Sequence, residues 1–235
     1  MKRNNNISYS NDNKRKIREL LIYPSVRSSG TLLDFYGSGE NHRFIQSKAS
    51  ELGKINLLSI DCDPKKEREL KRTPDARLIE LKELCQEYCD DQPTDDKKFG
   101  TIWIDYCGKY EEKKLEDFSM LKYVMKERGE LFVTFFKGRE DFGLKAGAGR
   151  ARIERDMMDV IYLEFANNNI AVDCTQCIDY NSIIENATTG KLSKKPSHMM
   201  VYKFSWKKWA GLGRPMTYHF QTLTHINLDK GGKIL

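Results

Sequence analysis

The stretch TLLDFYGSGEN, residues 31–41, decides how the chain folds. Thr31, Leu32 and Leu33 suit a strand covered on both faces, and Asp34 follows where that strand ends. Gly37 and Gly39 then permit a sharp turn and a close approach of backbone to a ligand. A glycine turn at the carboxyl end of the first parallel strand is where open α/β sheets take up nucleotide-like ligands.

Downstream, residues 41–52 carry Phe44, Ile45, Ala49 and Leu52 at helical spacing, with Gly53 placed to cap them. INLLSID (55–61) is a second apolar strand ending in acid, about twenty residues after the turn, where a ribose-binding carboxylate is expected. Asp61 at the strand end is the favoured residue, and Asp63 has a second route to the ribose hydroxyls. Pro64 opens a polar helix, residues 76–81 read as a third strand, and the segment to Cys89 as helix. Residues 90–98 form an acidic surface loop. FGTIWIDYCG (99–108) is another buried strand, ending in Asp105, Tyr106, Cys107 and Gly108.

The apolar spacing over 115–128 predicts an amphipathic helix stopped by Gly129. ELFVTFF (130–136) is a strand, and a glycine- and charge-rich connection runs from it through Gly149. Residues 150–169 predict the longest helix. Runs 170–180 and 199–206 are β-rich with no helix between them, so they pair antiparallel. The pattern is α/β: a Rossmann-like, doubly wound, mostly parallel seven-stranded sheet with an antiparallel C-terminal hairpin.

Upstream, residues 1–13 are too polar to pack and read as a tail. KRKIRELLI (14–22) forms a short helix ended by Tyr23 and Pro24, and the basic side given by Lys14, Arg15, Lys16 and Arg18 reads as a solvated face. The domain then spans 14–207, with 208–235 as an extension packed on or beside it. Over 207–235 Lys207, Lys208 and Arg214 interleave with Trp209, Tyr218 and Phe220, which suits either nucleic-acid contact or half-buried packing.

The 235 residues hold 40 basic and 34 acidic side chains, a net charge of +6 that is compatible with an anionic partner. No apolar run is long enough to cross a membrane, and the polar start has no apolar core like that of a secretory signal, so an intracellular location is expected. Six cysteines in such a chain argue for reduced thiols rather than a disulfide scaffold. Cys174 and Cys177 have zinc-like spacing, with Cys85 and Cys89 as conceivable partners. Residues three apart on a strand face opposite sides, so no metal is expected. His42, His198, His219 and His225 are scattered without a partner carboxylate motif, and none is assigned a catalytic role.

Taken together, residues 25–207 resemble the class I S-adenosylmethionine-dependent methyltransferases, whose sheet ends in such a hairpin. Phe35-Tyr36-Gly37-Ser38-Gly39, preceded by Asp34, matches the F-x-G-x-G form of that family's first motif, common in enzymes that methylate nucleic-acid bases. Asn41 stands where the alternative form keeps its last glycine, and asparagine tolerates positive φ there. The resemblance implies S-adenosyl-L-methionine as cofactor, bound by Asp34, Phe35, Tyr36, Gly37, Gly39, Asn41, Asp61 and Asp63. Asp105-Tyr106-Cys107-Gly108 falls at the fourth motif but lacks its prolines. There Asp105 supplies an acceptor and Tyr106 a stacking ring. A covalent route through Cys107 ranks below direct methyl transfer to nitrogen or oxygen. The implied acceptor is nucleic acid, RNA ahead of DNA, contacted by Lys137, Arg139, Lys145 and Arg150. The alternatives are a protein or small-molecule acceptor, or an inactive binding subunit that keeps the fold. A dinucleotide fits less well, because His42 occupies the third glycine position of G-x-G-x-x-G.

Overall fold

The computed structural model describes residues 12–109, 117–136, 158–159, 161–182, 197–209 and 224–230. Thr31–Phe35 (β1), Asn56–Asp61 (β2), Ala76–Leu78 (β3), Phe99–Lys109 (β4) and Met125–Phe136 (β5) run parallel to one another. Ile170–Ser182 (β6) and Ser197–Lys208 (β7) pair antiparallel as expected, and β7 also pairs antiparallel with β5. The strand order is β3-β2-β1-β4-β5-β7-β6-β8. Among the described residues the sheet has eight strands, one more than the sequence predicts. The added strand, Thr224–Asn227 (β8), lies parallel to the edge of β6 and buries Ile226. Its four residues are too short a run to announce a strand by alternation.

Period-two alternation divides the core into two halves across the sheet. Leu32, Leu57, Trp103, Phe132 and Ile178 face one way, against Ile17, Leu21, Ile22 and Val26 of the N-terminal helices and Ile45 of the helix after the glycine turn. Leu33, Ile60, Ile102, Ile104, Leu131 and Val133 face the other, against Leu84 and Cys85 of Leu81–Asp91, Phe118, Ile161 and Phe165. Each such apolar side chain contributes about 1.5–3 kcal/mol on full burial.

Two helical expectations are corrected. Tyr23 and Pro24 do not end the first helix: Asp12–Ile17 (α1) passes through a π-helical turn, Arg18–Ile22, into Tyr23–Ser29 (α2). Pro24 follows the π-helical turn, within the first turn of α2, and Gly30 at φ 69° closes the helix. Residues 115–128 are not one helix. Helix covers 117–120, a 3-10 turn follows at Leu121–Tyr123, and β5 begins at Met125.

Gly129 is thus a strand residue rather than a helix stop. A Cβ there would lie 2.0 Å from the Gly100 carbonyl oxygen and 2.5 Å from Trp206 Cζ2. The ladder between β4 and β5 is irregular at this point, between Phe99 and Thr101. Gly129→Ala is expected to cost about 3 kcal/mol by overpacking, read as a lower urea midpoint with an unchanged slope. The predicted helix 150–169 lies partly outside the described residues; 161–167 are helical.

Candidate cofactor and acceptor site

The site forms at the carboxyl end of β1, where the strand order reverses between β2 and β4. Phe35 pairs with Ile60 of β2, and Asp34 with Trp103 of β4. Carrying these registers to the level of Tyr36 places Asp61 on one side of the glycine turn and Asp105 on the other. Gly37 and Gly39 adopt φ 51° and 71°, the left-handed region. A Cβ on Gly39 would meet the Tyr36 ring at 2.7 Å. Glu40–Ser47 (α3) and Ala49–Leu52 (α4) follow, broken at Lys48 and ended by Gly53.

Asp61 is tied to this turn. Its Oδ2 accepts from Lys66 Nζ at 2.7 Å, and the same ammonium donates to the Gly37 carbonyl at 2.5 Å. Asp61 Oδ1 accepts the Asp63 backbone N–H, while the Asp63 carboxylate caps the short turn Pro64–Lys66. Phe35 and Tyr36 turn to different neighbours. Phe35 meets the ring of Tyr106 edge-on at 5.6 Å, whereas the Tyr36 hydroxyl donates to Glu69 at 2.9 Å and lies 3.2 Å from the Thr73 hydroxyl.

On the far side of the turn, Asp105 Oδ2 pairs with Lys14 Nζ at 3.1 Å, and its buried Oδ1 has no partner among the described residues. Tyr106 stacks on Phe135, with centroids 5.5 Å apart, and its hydroxyl donates to Asp117 at 2.6 Å. Burial and then the Asp117 carboxylate push the phenol above its ordinary pKa. Tyr106 is therefore a donor here, with one ring face already covered.

The basic side of the first helix is not uniformly solvated. Lys14 and Arg18, four residues apart and so on one face, both turn inward. Arg18 is buried, pairs with Glu40 at 2.5 Å and donates to Asn41 Oδ1 at 2.7 Å. Asn41 is helical, so its role is not a positive-φ turn but this side-chain link, which frees its amide N–H to face Asp34. Arg15 and Lys16 are exposed as expected.

Beneath the turn lies a polar chain that sequence reasoning missed. Ser59 donates to Asp34, and His42 Nδ1 sits 2.8 Å from the Ser59 hydroxyl. Ser59 has one hydrogen to give, so His42 Nδ1 is the donor in that second bond. His42 reaches a carboxylate only through Ser59, which stands opposite Asp34 in the β1–β2 ladder; the sole signal was that strand pairing. Burial pushes Asp34 up to about 7, against the lowering bonds from Ser59 and Asn41, and burial also lowers His42.

A carboxyl whose pKa is raised on folding holds its proton more tightly in the folded state. Its contribution is complete below about 4 and is lost as pH rises through about 7, on the order of 4 kcal/mol. Asp34→Asn is expected to remove this component. Urea denaturation at several pH values should then show stability above pH 7 rising relative to wild type, by an increment that shrinks toward pH 4.

Among the described residues no group of side chains is arranged to hold a metal ion and no helix is long and apolar enough to cross a membrane. Lys137, Arg139, Lys145 and Arg150 lie outside the described residues, as do Tyr218 and Phe220.

No protein-family model matches this chain, and no curated protein matches it. Solved structures do. The plantazolicin methyltransferase BamL, in complex with a triazolic desmethylPZN analog and SAH, is 15% identical over 85% of this chain and 88% of its own, with a TM-score of 0.50. SMU.776, assigned as a methyltransferase and complexed with SAH, is 10% identical over 84% of this chain, with a TM-score of 0.50. This chain covers 50% of the length of SMU.776. The fold is that of the class I S-adenosylmethionine-dependent methyltransferases.

Proposed function

We propose that the chain is an S-adenosylmethionine-dependent methyltransferase that acts on nucleic acid, RNA ahead of DNA, by direct transfer to a nitrogen or oxygen atom. The observation that carries the catalytic reading is the pair of acids flanking a left-handed glycine turn at the switch point of the sheet, Asp61 at the end of β2 and Asp105 within β4, which runs on to Lys109 rather than ending at the acid as the sequence predicts. The residues fit the donor: Gly39 has no room for a side chain, Asp61 suits ribose hydroxyls, and Asp105 Oδ1 is a buried acceptor atom without a partner among the described residues. BamL and SMU.776, complexed with SAH, support the same cofactor.

When bound, the donor supplies an electrophilic sulfonium methyl. The protein's task is then placement and exclusion of water. Asp105 Oδ1 accepts a hydrogen bond from the N–H or O–H of the acceptor and orients its lone pair, while Lys14 holds Oδ2. Phe35, Tyr106 and Phe135 pack together on the opposite face of the sheet from Asp105, which faces Lys14 of the first helix. The basic run of Lys137, Arg139, Lys145 and Arg150 follows β5 directly in sequence and supplies charge for phosphate contact.

Transfer of a radiolabelled methyl group to total RNA, DNA and protein tests the acceptor. Label in RNA is expected. Label in protein alone contradicts the nucleic-acid reading.

A further inference from the structure

A cavity of about 740 Å³ opens between α3 and the segment after β2, lined by Tyr36, His42, Arg43, Gln46, Lys65, Arg68, Glu69, Arg72, Thr73 and Pro74. Neither Asp61 nor Asp105 lines it, and of the glycine turn only Tyr36 does. Its charge is lopsided. Arg43, Lys65, Arg68 and Arg72 face one acid, Glu69, whose Oε1 already accepts the Tyr36 hydroxyl. Neighbouring cations on the same surface are satisfied: Lys66 pairs with Asp61, Lys71 with Glu67, and Arg77 with Glu87. Lys65, Arg68 and Arg72 make no side-chain ion pair or hydrogen bond among the described residues. Arg43 spends one amino group on the Ser38 carbonyl.

Lys65 lies in the 3-10 turn Pro64–Lys66, Arg68 in the helical turn Glu67–Leu70 and Arg72 just beyond it, and all three line the same cavity. Several separate point charges along one groove suit successive phosphates rather than one compact anion. Such cations are exposed and unpaired at a surface where pairing is the rule, and an extended polyanion meets them without a deep pocket.

We infer that this cavity is a docking groove for the sugar–phosphate backbone of single-stranded nucleic acid, held by Lys65, Arg68, Arg72 and Arg43. It is a contact region additional to the basic residues that follow β5 in sequence. Binding here needs no methyl donor, so the inference stands or falls separately from the catalytic reading.

The test is fluorescence anisotropy of a labelled uridine oligonucleotide, about 16 nucleotides long, with the full chain in the absence of donor. Wild type is compared with the triple variant Lys65→Ala, Arg68→Ala, Arg72→Ala across salt from about 50 to about 200 mM. All three side chains are exposed, and an unchanged thermal midpoint checks the fold. The variant is expected to bind at least about tenfold more weakly, with a log–log salt slope shallower by about 0.7 for each lost contact. Wild-type affinity and slope in the variant overturn the inference. So does weaker binding with an unchanged slope. Displacement of the oligonucleotide from wild type by micromolar inorganic phosphate or tripolyphosphate also overturns it, in favour of a site for a small phosphorylated ligand.

Discussion

Asp105→Ala lowers the rate of methyl transfer by about 10²–10⁴-fold while leaving donor affinity close to wild type. The expectation rests on the position of the carboxylate. Asp105 lies on β4, across the glycine turn from Asp61, with one oxygen held by Lys14 and the other buried without a partner among the described residues. An interaction made with the acceptor as it reacts, and not with the donor, lowers kcat and kcat/KM together. Lys14→Ala keeps the carboxylate but removes its tether, and the expected loss is smaller. Single-turnover transfer to labelled RNA, together with calorimetric titration of the donor, separates the two effects. A full rate in Asp105→Ala removes the residue from the mechanism.

Gly39→Ala is expected to abolish measurable donor binding, a loss of at least about 100-fold. Two costs combine. The backbone at φ 71° disfavours any L side chain by about 1–2 kcal/mol. The new Cβ also sits 2.7 Å from the Tyr36 ring and 2.9 Å from Arg43 Nη1, so the turn itself must move. Gly53→Ala is the matched control. Gly53 has φ 73°, but a Cβ there meets nothing within 4 Å, and the residue lies beyond the site at the end of α4. The control is expected to lose stability without losing donor affinity. Equal donor binding by both variants would falsify the placement of the donor at the turn.

The parts legible in sequence were those written in local pattern. β1, its glycine turn, the acid at the end of β2 and the antiparallel pair β6–β7 each follow from a run of apolar residues and its punctuation. Features that depend on partners distant in the chain were not legible. Gly129 looks like a helix stop until Gly100 and Trp206 are seen against it. Lys14 and Arg18 look solvated because Asp105 and Glu40, their partners, are 91 and 22 residues away. The chain from His42 through Ser59 to Asp34 exists only once β1 and β2 are in register. Asn41 was placed correctly beside the turn but for the wrong reason, a backbone angle rather than a side-chain bond. Within the acceptor site, the stacking partners of Tyr106 likewise come from β1 and β5 rather than from its own motif.

The central claim is that the glycine turn between Asp61 and Asp105 holds S-adenosylmethionine. Isothermal titration of the wild-type chain with S-adenosylmethionine tests it most directly. Saturable binding at one site is predicted, abolished by Gly39→Ala and retained by Asp105→Ala. Absence of binding to the wild-type chain contradicts the account.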